Sequence, residues 1–101
     1  MLNNLIGNAI RHTPSNGQVI VDARREDDYV YLSVEDSGPG IPEDYREKVF
    51  ERFFRMPGQS ASGAGLGLSI TQTLCRRNGV EISVGTSERL GGARFMLKLR
   101  T

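Results

Sequence analysis

Cysteine occurs once in this sequence, at Cys75, and a single thiol cannot close a disulfide within the chain. A disulfide framework is excluded, and Cys75, beside Leu74 in a helical pattern, reads as a buried free thiol suited to a reducing compartment. Charge of one sign is also lacking: 13 basic residues stand against 12 acidic ones, for a net charge of +1. No chain-wide field marks a nucleic-acid or acidic-surface binder, so no nucleic-acid partner is expected and any basic site must be local. No apolar run is long enough to span a bilayer, and no charged leader followed by an apolar stretch opens the chain. Direct membrane contact is not expected, and an anchor of the intact protein would lie elsewhere. Repeats, linkers and low-complexity tracts are absent too. What is there is 101 residues, 38% hydrophobic and 25% charged, which suits one soluble domain with a modest core.

Met1 opens directly onto a helical pattern without the polar residue that usually caps a helix start, so truncation at the N-terminus is expected. Leu5, Ile6, Ala9 and Ile10 follow amphipathic-helix spacing until "TPSNG" (13–17) breaks it. Asn4, Asn8 and Arg11 form a second stripe at i, i+4 and i+7, an unusual choice given asparagine's mediocre helix propensity. "QVIVDAR" (18–24) and "YVYLSVED" (29–36) predict two strands of an antiparallel hairpin. In the second strand Val30, Leu32 and Val34 share one face, and the period of two sends Asp36 to that inward side. A carboxylate aimed at the core needs a partner.

"SGPGIP" (37–42) reads as a turn, and "EDYREKVFERFF" (43–54) as a helix with Val49, Phe50, Phe53 and Phe54 as its apolar positions. "RMPGQSASGAG" (55–65) is polar and glycine-rich, long enough to act as a lid. A helix is expected near Leu66 to Arg77, stopped by Asn78 and Gly79, then strands over 80–86 and 93–100 joined by "SERLGG". The order implies an α/β (α+β) two-layer sandwich, its sheet mixed but largely antiparallel and covered on one face by helices.

"GAGLGLSI" (63–70) sets glycines at Gly63, Gly65 and Gly67 ahead of a helix, as a phosphate-binding loop does. It is not a Walker loop, because Leu68 and Ser69 follow where lysine and serine or threonine are needed. Nor does a strand precede it, as a dinucleotide fingerprint requires. Alone, the run serves equally well as a flexible connector.

Four segments together are more specific. "NNLIGNAIRHTP" (3–14), "DSGPGIP" (36–42), "ERFFR" (51–55) and "GAGLGLSI" (63–70) resemble, in order and spacing, the N, G1, F and G2 boxes of the sensor histidine kinase ATP-binding domain. That domain belongs to the GHKL group, with the ATPase domains of type II topoisomerases, heat-shock protein ninety and mismatch-repair proteins. The resemblance implies a GHKL fold over residues 1–101 as a histidine kinase-like catalytic domain, with ATP and Mg²⁺ as cofactors. It implies that Asn8 is a Mg²⁺ ligand, with Asn4 on the same stripe and Arg11 and His12 one turn on, facing phosphate. Asp36 resembles the adenine reader, with Gly38, Gly40 and Ile41 passing close to the base and ribose. Phe54 and Arg55 stand at the foot of the lid. Gly63, Gly65, Leu66, Gly67 and Leu68 bring backbone N–H groups toward the phosphates.

Hydrolytic relatives carry a glutamate four residues before the metal asparagine; here that position is Asn4, and an amide cannot act as a general base. The resemblance therefore implies phosphoryl transfer to a histidine on a separate dimerisation domain, with a response regulator downstream and a cytoplasmic location in an inner-membrane sensor. The dimerisation domain and its acceptor are absent from this chain, as is the family's first strand. That leaves a sheet edge through which a homo-oligomer could form. His12, the only histidine, belongs to the nucleotide box and is not the acceptor. The chain is expected to bind ATP without phosphorylating itself. Two alternatives stay open: a non-catalytic nucleotide-binding or docking module, and a GHKL serine kinase or ATPase.

Overall fold

A computed structural model describes residues 2–54 and 67–101. Helix α1 (Leu2–His12) presents Leu5 and Ala9 to the sheet, where both are buried. Ile10 was expected on the same stripe but is 61% exposed. At about 100° per residue it lies roughly 140° round the helix from Leu5, beyond the arc that meets the sheet. Asn8 falls within that arc and is buried instead. The helix ends where the Thr13 hydroxyl donates back to the Ala9 carbonyl at 2.6 Å.

Strands β1 (Val19–Glu26) and β2 (Tyr29–Asp36) form the predicted hairpin, with Asp36 opposite Val19. Helix α2 (Gly67–Arg77) precedes β3 (Glu81–Thr86) and β4 (Ala93–Arg100). The sheet order is β1-β2-β4-β3, and every pairing in it is antiparallel. The register aligns inward residues in rows, Val34 of β2 with Phe95 of β4 and Val84 of β3, and Leu32 with Leu97 and Ile82. Period-two alternation thus gives the sheet one apolar face, on which Leu5, Ala9 and Cys75 of the helices pack. Cys75 is fully buried, and burial pushes its thiol pKa up. Among the described residues no helix is long and apolar enough to cross a membrane.

Residues 43–54 depart from the expected helix. They form two 3-10 turns, Glu43–Tyr45 and Lys48–Phe50, after which Glu51 becomes extended. Tertiary contacts override the helical pattern here. Phe50 packs edge-on against Phe95 with ring centroids 6.2 Å apart, and Arg46 donates to the Ile41 carbonyl and to Thr86 Oγ1, pinning the segment to the end of β3. Phe53, expected in the apolar stripe, is 62% exposed. The lid expected over 55–65 lies outside the described residues.

Candidate functional site

Asp36 ends β2 on the inward face, 3% exposed, and it forms no salt bridge with a cation among the described residues. Its Oδ1 accepts two backbone N–H groups, from Gly38 at 3.0 Å and from Ala93 at 3.1 Å. Oδ2 accepts no hydrogen bond among the described residues. Main chain closes in from two sides. A Cβ on Gly38 would lie 2.4 Å from the His12 carbonyl oxygen, and one on Gly92 would lie 2.2 Å from the Asp36 carbonyl oxygen. Two glycines therefore let the end of α1 and the start of β4 converge on one carboxylate.

Beside Asp36 lies a small cavity whose walls come from Asn8 and His12 of α1, Pro39, Gly40 and Ile41 of the following turn, and Ala93 and Phe95 of β4. Its volume is ≈ 20 Å³, room for about one water. Asn8 is 7% exposed and its side-chain amide makes no hydrogen bond among the described residues; no described side-chain nitrogen or oxygen is fully buried without a partner, so the amide still reaches solvent. His12 stands one turn on, half-buried. Burial holds its imidazole pKa below the ordinary value, the neighbouring Arg11 adds to this, and Asp36 opposes it.

The expected site residues divide into three groups. Asn8, His12, Asp36, Gly40 and Ile41 come together around the cavity, with Gly38 bonded to the carboxylate. Asn4, Arg11, Phe54, Gly67 and Leu68 do not line it. Asn4 is half-buried a turn earlier on α1, and Arg11 lies back along the helix, its Nη1 3.6 Å from where a Gly7 Cβ would stand. Phe54 stacks at 5.8 Å on Tyr45, while Gly67 and Leu68 begin α2, Leu68 packing toward the core. Arg55, Gly63, Gly65 and Leu66 lie outside the described residues. Sequence reasoning missed Gly92 and Ala93, for which the only signal was a glycine pair just before a strand.

No group of three or more His, Cys, Asp or Glu side chains among the described residues is arranged to hold a metal. On α1 the cavity wall offers one neutral oxygen donor, the Asn8 amide, with the Asp36 carboxylate across from it. This suits a hard cation such as Mg²⁺ that keeps several waters and shares phosphate oxygens, and does not suit an all-protein cage.

The sequence profile of the histidine kinase-, DNA gyrase B- and HSP90-like ATPases matches residues 1–101. The chain belongs to that family. Among curated relatives it is 39% identical over 99 residues to the alginate biosynthesis sensor protein KinB of Pseudomonas aeruginosa, covering 98% of this chain and 16% of KinB. It is 37% identical over 91 residues to the sensor protein QseC of Escherichia coli, covering 90% of this chain and 19% of QseC. The chain thus spans about a fifth or less of the length of these relatives.

Among solved structures, the mycobacterial sensor histidine kinase MprB superposes with a TM-score of 0.88 at 33% identity, over 96% of this chain and 67% of that one. Full-length ShkA in complex with AMPPNP superposes at 0.80 with 37% identity, over 96% of this chain and 20% of ShkA. The α/β sandwich described above is the fold of histidine kinase ATP-binding domains.

Proposed function

We propose that residues 1–101 form the ATP-binding catalytic domain of a sensor histidine kinase, which binds Mg-ATP and presents the γ-phosphate to a histidine on a separate dimerisation domain. The carrying observation is Asp36. Its Oδ1 is occupied by two main-chain donors, whereas Oδ2 is left to accept a hydrogen bond from an incoming amine. Oδ2 still reaches solvent, so a ligand donor can take the place of water there. The exocyclic amine of adenine supplies that donor, and the 6-oxo group of guanine does not. The AMPPNP complex of ShkA supports an adenine nucleotide as the ligand.

The cavity beside Asp36 is water-sized, so a purine enters only as its walls give way. Asn8, one α1 turn before His12, is the residue that would hold Mg²⁺ by its amide oxygen. The ion would supply charge neutralisation on the phosphate oxygens. Arg11 and His12 at the end of α1 would supply cationic and hydrogen-bonding groups to the phosphates. Glycines 63, 65 and 67 carry the phosphate-loop role implied by the resemblance.

Asn4 stands one turn before Asn8, where a hydrolase needs a base, and an amide cannot take a proton from water at neutral pH. This favours transfer over hydrolysis, and catalysis in this domain reduces to positioning and charge neutralisation. The relatives' names as sensor proteins support a two-component role at the cytoplasmic side of a membrane sensor. A ThkA structure solved in complex with the response regulator TrrA supports a response regulator as the downstream partner.

The test mixes this chain with γ-labelled ATP, Mg²⁺ and a separately produced histidine-bearing dimerisation domain. Acid-labile label on that second protein, absent when either protein is omitted, is the expected result. Label released only as free phosphate would identify an ATPase, and nucleotide binding without turnover would identify a docking module.

A further inference from the structure

Glu35 and Asp36 are consecutive at the end of β2, lie on opposite faces of the sheet and are both buried, at 7% and 3% exposure. One short connection, residues 87–92 between β3 and β4, reaches both of them. On the outer face the Ser87 hydroxyl donates to Glu35 Oε1 at 2.9 Å, and Arg89 donates to Oε2 from Nε at 2.9 Å and from Nη2 at 2.5 Å. The same Nη2 pairs with Asp22 of β1, so one guanidinium ties the β3–β4 connection to two strands. On the inner face the connection runs through Gly92 into Ala93, whose N–H donates to Asp36 Oδ1.

The connection is also closed on itself. Ser87 N donates to the Gly92 carbonyl at 2.8 Å, Gly91 N to the Ser87 carbonyl at 2.8 Å, and Leu90 N to Ser87 Oγ at 3.1 Å. A loop braced by its own hydrogen bonds moves as a unit. Its seat on Glu35 therefore sets where the Ala93 N–H arrives on the far side of the sheet.

An exposed ion pair contributes little by itself. Glu35, however, is buried, and its carboxylate is satisfied by Ser87 and Arg89. Removing Arg89 leaves a buried charge short of partners, and the loop that carries Ala93 must shift to rehydrate it.

We infer that Arg89, with Ser87, is a positioning residue for Asp36: it acts from the opposite face of the sheet, through the 87–93 connection, to fix the carboxylate that reads the nucleotide base. This rests on the proposed reading of Asp36. Arg89 does not line the cavity beside Asp36, whose described walls come from α1, Asp36 itself, the 39–41 turn and β4.

The experiment titrates ADP and GDP calorimetrically into the wild-type chain, Arg89→Met and Arg89→Lys, and follows exchange of the Ala93 amide by NMR. Arg89→Met is expected to bind ADP about fivefold more weakly, to narrow the preference for ADP over GDP, and to exchange the Ala93 amide faster. Arg89→Lys, which keeps the charge but not the fork, is expected to recover part of each. Unchanged ADP affinity in Arg89→Met overturns the inference. So does an equal loss for ADP and GDP with Ala93 exchange unaltered, because that pattern belongs to a merely structural ion pair. If Arg89→Met does not fold, Arg89→Lys is read against wild type on the same three measurements, and no change in them is equally fatal. A wild-type chain that binds no ADP refutes the nucleotide reading itself, while the Ala93 exchange rates still decide whether Arg89 positions the carboxylate.

Discussion

Gly92 leaves no room for a side chain beside Asp36: a Cβ there would stand 2.2 Å from the Asp36 carbonyl oxygen and 2.3 Å from Oδ1. The nearer obstacle is backbone, held by the pairing of Asp36 with Val19 of β1 and, one residue back, by the Glu35–Arg94 pairing of β2 with β4, so it cannot swing aside. Gly92→Ala must separate the ends of these two strands and stretch the Ala93 hydrogen bond. A loss of about 2–3 kcal/mol of stability is expected, the upper part of the range for forcing extra atoms into a packed site. Urea unfolding checks it. Adenine-nucleotide affinity should fall in the fraction that still folds.

Asp36→Asn separates the structural role of this residue from its recognition role. The Asn carbonyl oxygen can take the place of Oδ1 and keep the hydrogen bonds from Gly38 and Ala93. The amide nitrogen then stands in the place of Oδ2, a donor facing the donor amine of adenine. The fold is retained and recognition is lost, with ADP affinity down on the order of thirtyfold or more. Calorimetry paired with a melting curve tests both halves. Unchanged affinity would sink the assignment of Asp36 as the base reader.

Asn8→Ala removes a buried amide that forms no hydrogen bond among the described residues and installs the best helix former in α1. Stability should hold or rise by up to about 0.7 kcal/mol. The Mg²⁺-dependent part of ATP binding should disappear, while binding measured in a chelator stays near wild type. Equal losses with and without the metal would contradict a ligand role for Asn8. The readout is affinity, so it does not depend on the presence of an acceptor domain.

The hairpin, the inward parity of Asp36 and the end of α2 were legible in the sequence because each is set within a few residues: a period of two, a turn, a helix stop. Residues 43–54 were not, because their helical spacing was real but Phe50 and Arg46 answer to Phe95 and Thr86, partners distant in the chain. The wall around Asp36 was hidden for the same reason. Ala93 bonds to Asp36 across 57 positions, and Ser87 bonds to Glu35 across 52. Glu35 illustrates the limit well: strand alternation assigns it to the solvent side, yet a distant serine and arginine cover it.

His12 gives the site a pH dependence whose sign follows from its surroundings. Burial and the adjacent Arg11 hold the folded-state pKa below the ordinary value near pH 6.5, against the pull of Asp36. The unfolded chain therefore binds the proton first as pH falls, and stability drops from about pH 6.5 down to the depressed folded-state pKa. Above that window the contribution is fully present. The slope should stay well under the one-proton ceiling of about 1.4 kcal/mol per pH unit, because solvent screens a half-buried ring. Carboxylates titrate further to the acid side, so the quantity to measure is the difference between wild type and His12→Gln in urea midpoint at pH 7.5 and 5.5. Wild type should lose more stability than the variant over that interval. A greater loss in the variant would mean that His12 is stabilised as the cation in the fold, and that Asp36 outweighs both burial and Arg11.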